Sequence, residues 1–507
     1  MRISKFLARL GAKAFLVLGL VAVLVGLPSV TLAAPWLKAE TPRFTVYSNG
    51  SEATLRKYAE RIELLDAVFW QVYGLERPAP PPRKLPIYLV ADNKQLRLVS
   101  PSLPDGIVGF YSADPREIFA MGLSGGGNEY VVMHEYIHHV MLQYFPYGYP
   151  AWFVEGYAEY FMNTSITDSA IQVGVTTNRA GDLDDDWLPF DDMLSKRVFE
   201  IPAAKRSKFY AQAWLMTHYL VSDPARAEQL KAYLTAIGQG QNSIDAMRQA
   251  TGLTSEAWES RMRTYGGAQM RYTQFKRSDF PKVEVEISKL PPSTEDLLLD
   301  DLNVKTGVSE QNRATLVAQI RAKAARFPDD AFAQFALTRA EVTIGDPQVG
   351  ATMLKARLAA NPKDVEALAL EAERLMAEGD KTPALRAERY NQAGALLAVA
   401  FKLDPNRYQT LFAFVQSRSG ETNYPSDNTL TALLMALKLA PQVDAIRLEA
   451  GRCLIKRGRN HEAIAVLLPL ANSPHSNALA KQAQDLLATI PAPIDAPKDK
   501  ASAAATP

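Results

Sequence analysis

The feature that most constrains the fold is a turn that recurs through the second half of the chain. FPDD at 327, NPKD at 361, DPNR at 404, APQV at 440 and SPHS at 473 place prolines at 328, 362, 405, 441 and 474, at intervals of 34, 43, 36 and 33 residues. Proline cannot continue a helix. A stretch of roughly 30 residues between such stops suits two helices and their turn. One such pair cannot bury its apolar face alone, so the pattern implies pairs stacked in a row. Residues 302–490 therefore read as an all-helical repeat domain, followed by a Pro-, Ala- and Lys-rich tail over 491–507 that reads as disordered.

The first half is organised differently. Arg43–Tyr47 alternates like a strand, and Glu52–Tyr73 carries Leu55, Tyr58, Ala59, Ile62, Leu65 and Phe69 at helical spacing. Leu85–Val90, Ile107–Tyr111 and Glu117–Met121 read as further strands, and Asn128–Tyr144 and Pro150–Met162 as helices. From Phe209 to Gly266 the pattern is helical. Strands first and helices after indicate an α+β domain over 34–275. Phe275–Asp301, with Pro281, Pro291 and Pro292, reads as irregular, and a linker is expected over 276–301.

The first 33 residues hold Arg2, Lys5, Arg9 and Lys13 and no acidic group, and Ala14–Leu27 carries no charge. Basic, apolar, then small is the order of a secretory signal peptide, with cleavage expected after Ala33. Left uncleaved, residues 14–34 would instead anchor the protein in the inner membrane. In either case the remainder is exported, to the periplasm of a bacterium or outside it. Without this segment 52 basic groups face 55 acidic ones, which argues against a nucleic-acid partner. Cys453 is the only cysteine, so disulfides within the chain and cysteine-rich zinc sites are excluded.

Residues 134–138 read His-Glu-Tyr-Ile-His. On a helix, His134 and His138 lie one turn apart on one face and can reach a single metal ion, while Glu135 leaves at another angle and can serve as base toward a water there. Glu155 follows in Pro150-Ala-Trp-Phe-Val-Glu-Gly-Tyr-Ala-Glu. The interval after His138 fits two more helical turns, a turn at Phe145–Pro150 and an antiparallel return, which sets Glu155 opposite the histidines as a third ligand. Two nitrogens and one carboxylate leave a fourth position open, as in catalytic zinc sites. Glu159, one turn after Glu155, is placed to accept the free N–H of a ligand histidine. The bland reading of Glu155 and Glu159 is a solvated acidic pair, but like charges at that spacing repel unless a cation is near.

These residues resemble the gluzincin metallopeptidases, and more closely the bacterial peptidase-MA-like proteins, in which HExxH is followed by a W-[FY]-x-E-G-x-A-E helix. Trp152, Phe153, Glu155, Gly156, Ala158 and Glu159 match that helix, and the resemblance spans roughly residues 36–270. It implies a zincin-like catalytic domain that binds Zn2+ and hydrolyses amide bonds, with Glu135 as general base, on a peptide or protein substrate. It also implies an upstream strand, Glu117–Met121, as an exposed edge for extended substrate, although that segment reads equally as an internal strand. A downstream donor to the reacting carbonyl is implied in Phe209–Leu220, where Tyr210 and His218 are the candidates and Tyr210 is favoured. No G-x-M-E-N-type segment is present, so the machinery of the large aminopeptidases is not indicated and an endopeptidase is expected. Residues 302–490 resemble tetratricopeptide repeats in period and in Gly451, Ala463 and Leu467, but lack most of the pattern's tryptophan and tyrosine. A protein partner on those repeats is the natural expectation.

Other residues carry less. Ser124–Gly127 reads as a lip beside the cleft or as a connector, and Asp182–Asp186 as a solvated acidic loop without the glycine and terminal glutamate of a calcium loop. His139 reads as packing, His461 and His475 as surface residues of the repeats, and Cys453 as a small buried hydrophobe. Two further functions compete: a repeat scaffold whose zinc site is vestigial or structural, and a zinc hydrolase of non-peptide substrates. An intact Glu135 argues against the first, because a site that only holds metal has no use for a base.

Overall fold

The computed structural model of the chain describes residues 35–125, 129–176, 178–183, 186–475 and 478–491. The expected signal segment, the tail beyond 491, Gly126 and Gly127 of the glycine loop, and Asp184 and Asp185 of the acidic loop lie outside the described residues. Among the described residues no helix is long and apolar enough to cross a membrane.

The main sheet is built from β1 (Leu37–Glu40), β2 (Phe44–Ser48), β3 (Leu85–Val90), β4 (Gly109–Ala113) and β5 (Ile118–Leu123). A small second sheet contains β6 (Ser165–Ile166), β7 (Ala170–Val173) and β8 (Thr273–Lys276). β9 (Glu286–Lys289) then returns to the main sheet, giving the order β4-β5-β3-β2-β1-β9. β2, β3 and β5 are parallel neighbours, and β4 and β9 run antiparallel at the two edges.

The run LPIYLV of β3 is apolar throughout because it is covered on both faces. Ile87 and Leu89 face α1 (Glu52–Val72), and Tyr88 and Val90 face α2 (Asn93–Val99). α1 begins at Ser51, whose hydroxyl accepts the Thr54 N–H at 3.1 Å, and it buries the stripe Leu55, Tyr58, Ile62 and Leu65. Two longer helices, α3 (Glu129–Tyr144) and α4 (Ala151–Met162), follow β5. α5 (Phe190–Ser195), α6 (Arg206–Val221), α7 (Pro224–Gly238), α8 (Ser243–Thr251) and α9 (Ser255–Gly266) pack beyond them.

The stretch expected as a linker is part of the fold. β9 pairs with β1 in the register Leu37↔Lys289, and α10 (Ser293–Thr306) lays Leu298, Leu299 and Leu302 against Trp36, Tyr88 and Phe119. The signal was the alternation of Val283, Val285 and Ile287. The flanking prolines, 281, 291 and 292, bound an edge strand and do not mark a hinge. Of the two readings of Glu117–Met121, the internal strand is the one observed: β5 is hydrogen-bonded on both sides, and the edge is β4.

Beyond α10 the chain is helical to residue 489. The helices are α11 (Glu310–Ala324), α12 (Ala331–Thr343), α13 (Pro347–Ala360), α14 (Val365–Lys381), α15 (Arg386–Leu403), α16 (Tyr408–Ser417), α17 (Asp427–Leu439), α18 (Asp444–Lys456), α19 (Asn460–Ala471) and α20 (Ala478–Thr489). Each of the five proline turns falls between two helices, the first between α11 and α12 and the last between α19 and α20. Phe412, Leu433, Ile446 and the buried Cys453 share one apolar cluster there, against which Ala113 and Ile118 of the sheet also pack.

Candidate metal centre

α3 buries Val132, Met133, Tyr136, Ile137 and Val140, which fixes its rotation and turns His134 and His138 to the opposite side. Tyr136 is held from below: its hydroxyl donates to Asp66, a fully buried carboxylate that also accepts from Arg77 Nε at 2.6 Å and is ion-paired with Arg43, whose Nε lies 3.0 Å away. Glu135 and Ile137 flank a residue tied in this way to α1.

α4 is buried nearly all round, as a core helix must be if it is apolar on every side. Trp152 donates its indole N–H to Tyr233 at 3.0 Å, and Gly156 lies directly against the backbone of α6. This packing brings Glu155, fully buried, to the histidines. His134 Nε2 and His138 Nε2 are 3.0 Å apart, and Glu155 Oε2 stands 3.2 Å from the first and 3.6 Å from the second. Tetrahedral zinc with bonds of 2.0–2.1 Å would separate its ligand atoms by about 3.3 Å, so this donor set fits such an ion. His138 Nδ1 and Glu155 Oε1, which are not among the convergent atoms, are buried without a hydrogen-bond partner. Among the described residues this is the one group of three or more histidine, cysteine or acidic side chains spaced to hold a metal ion.

The electrostatics favour a positive charge here. Burial works against protonation of His134, but its hydrogen bond to Glu155 and the charges of Glu159, Glu155 and Glu135 lift its pKa to about 9. Burial likewise opposes ionisation of Glu155, yet the neighbouring His138 and His475 and its hydrogen bonds hold its carboxyl well below the usual range. Glu159 Oε1 faces His134 Nδ1 at 3.7 Å, longer than a hydrogen bond. Arg179 grips the same carboxylate with two bonds of 2.8 and 3.0 Å, a fork that the sequence alone did not signal.

The two donor candidates separate. The Tyr210 ring lies 6.3 Å from the His134 ring, and the Arg179 guanidinium lies over it at 5.3 Å. Burial, then the charges of Glu155, Glu135 and Glu159, hold its phenol protonated far beyond neutral pH. His218 is fully buried elsewhere. Its Nε2–H donates to Gly174 O at 2.8 Å, and its Nδ1 sits 2.8 Å from the Tyr265 hydroxyl, so both ring nitrogens are engaged. His139 also turns away, its Nδ1 taking the Tyr111 hydroxyl at 2.9 Å.

A cavity of about 240 Å³ opens beside the cluster. Glu135, His138, Phe145, Tyr149 and Val154 form one wall, with Tyr111 and Ala113 of the edge strand β4 at one end. The opposite wall comes from α17 onward: Gln442, Arg447, Leu470, Asn472 and His475. The sequence offered His475 as a surface residue. Its ring is indeed exposed, yet Nε2 stands 3.3 Å from Glu155 Oε1, because residues 473–475 lie over the site. His461 is exposed. No protein-family model and no curated protein matches this chain.

Proposed function

We propose that the chain is an exported zinc-dependent peptidase of the gluzincin type, acting as an endopeptidase on extended peptide, with a zincin-like domain and tetratricopeptide-like repeats that serve a protein partner. The observation that carries the reading is the convergence of His134 Nε2, His138 Nε2 and Glu155 Oε2 beside a cavity wall that contains Glu135. His134, His138 and Glu155 would hold the ion, which supplies a Lewis acid for the scissile carbonyl and lowers the pKa of a water. Glu135 takes the proton of the attacking water and returns it to the leaving amine. Tyr210, kept protonated, donates to the carbonyl oxygen as negative charge develops on it. Glu159, fixed by Arg179, compensates charge on His134 from the Nδ1 side. Among the described residues β4 has one strand neighbour, so its free edge can pair with substrate backbone without selecting side chains.

The purified full chain, tested on a diverse peptide library with and without chelator, decides the matter. His134→Ala, His138→Ala and Glu155→Ala should each lose the metal. Glu135→Gln should keep metal and fold and lose at least about a hundredfold in turnover. Full metal retention in all three ligand variants, or normal turnover in Glu135→Gln, would overturn the proposal.

A further inference from the structure

The helical region takes part in the metal centre itself. Glu155 is fully buried, and its Oε1 has no hydrogen-bond partner, although Oε2 is directed at the two ligand imidazoles. A buried carboxylate oxygen left unpaired is costly. Among the described residues His475, after α19, faces it with Nε2 at 3.3 Å. The His475 ring meets the His138 ring nearly edge-on, at 6.1 Å and 81°.

The turn is seated from both sides. Asn472 Nδ2 donates to Gly148 O at 2.8 Å, in the connection between α3 and α4. A Cβ on Gly148 would stand 3.0 Å from Leu468 Cβ, so α19 rests on that connection without clearance. At the neighbouring proline turn, Gln442 Nε2 donates to Gln143 Oε1 of α3 at 2.7 Å. The ring is therefore carried to Glu155 by a fixed surface, more than 300 residues along the chain from the ligand it meets.

We propose that His475 is a positioning residue of the metal centre. Its Nε2–H pairs with Glu155 Oε1 and leaves Oε2 to the ion, so the centre is complete only with the last helices in place. Partners that fix a ligating carboxylate in this way typically contribute 10–100-fold to metal affinity. The inference rests on the metal-centre reading above and adds to it a residue from outside the α+β portion.

The test uses the full chain with Zn2+ and Co2+, titrated against a chromophoric chelator. His475→Ala should weaken binding of both ions by at least about tenfold. His475→Gln, whose amide N–H lies at the same distance along the side chain, should restore most of that affinity. The metal-free melting temperature should fall only slightly in His475→Ala, because water replaces the exposed ring at Oε1, and should recover in His475→Gln, and the cobalt absorption bands should stay in place, because the atoms bound to the ion are the same. Wild-type affinity in His475→Ala would overturn the proposal. So would a matching fall in metal-free stability, which would make the residue a clasp for the helices, or a cobalt spectrum showing the loss of one nitrogen, which would make it a ligand. An unsubstituted chain that binds no metal would instead defeat the metal-centre reading, and that is seen before any variant is made.

Discussion

Replacing Gly156 with alanine should damage the site without touching a functional group. A Cβ at this position would lie 2.2 Å from Ala213 O, 2.5 Å from Ala213 C and 2.4 Å from Thr217 Oγ1. Two of those atoms are backbone, so no rotamer change relieves the clash. Restoring ordinary contact requires α4 and α6 to part by roughly 1 Å. Overpacking of this kind costs about 1–3 kcal/mol, and the upper end applies where backbone must move. The damage would not stay local. α4 carries Glu155 and Glu159, and α6 carries Tyr210. A metal site tolerates deviations of only about 0.2 Å in its ligand distances. Gly156→Ala should therefore lower the metal-free melting temperature and weaken zinc at least about tenfold. On the peptidase reading, turnover should fall about a hundredfold, as expected for a 1 Å misplacement. Gly238→Ala is the control, since a Cβ there meets nothing within 4 Å and the change should stay within about 0.5 kcal/mol. Chelator competition and thermal unfolding of both variants measure this. A Gly156→Ala protein with wild-type stability and metal affinity would refute the reasoning.

Tyr210→Phe should keep fold and metal and cut turnover by about a hundredfold, whereas His218→Ala should act on stability, since it takes the donor from Gly174 O and one of the two partners from the Tyr265 hydroxyl, which also meets Ser222 Oγ; a silent Tyr210→Phe with an intact fold would remove Tyr210 from the chemistry. Arg179→Ala leaves the buried Glu159 carboxylate without its fork and should cost about 2 kcal/mol, less than a fully buried pair because Arg179 is partly exposed, and Arg179→Lys should recover little of it; denaturant unfolding gives the value, and full recovery by lysine would contradict the role of the fork. Metal and proton compete at His134. With a pKa raised to about 9, its proton stabilises the metal-free fold fully below the unfolded value of 6.5, and this contribution fades as pH rises through about 9. Apparent zinc affinity should thus rise by up to about tenfold per pH unit between about pH 7 and 9, and a pH-independent affinity by chelator competition would refute the assignment.

The metal cluster was legible because its spacing is local. His134 and His138 share a helical face through the period of the helix, and the residues between His138 and Glu155 are too few for any return other than an adjacent antiparallel helix. The same spacing brought Glu159 near His134 but did not give the expected hydrogen bond, since Nδ1 and Oε1 are 3.7 Å apart. Arg179 and His475 were not legible, since one reaches the site from a short 3-10 turn and the other from a connection between helices, and the path of each depends on tertiary packing. The distinction between Tyr210 and His218 also escaped the sequence, because helical periodicity gives relative angles and not which angle faces the metal. β3 and α1 followed their patterns closely. β9 was hidden by its prolines. The position of β5 in the sheet is a matter of strand order, to which side-chain alternation is blind.

The placement of β9 has a kinetic consequence. β1 lies near the start of the described chain, yet its second neighbour is some 250 residues further on. At 5–20 residues per second, β1 would wait on the order of ten seconds or more after its own synthesis before that partner exists. Throughout that interval its outer N–H and C=O groups form an open edge, able to template pairing with another chain, and Trp36 lacks its cover from α10. A truncation at residue 275 would make this exposure permanent and should aggregate, whereas a chain continued through Thr306 supplies both the closing strand and the helix that covers Trp36.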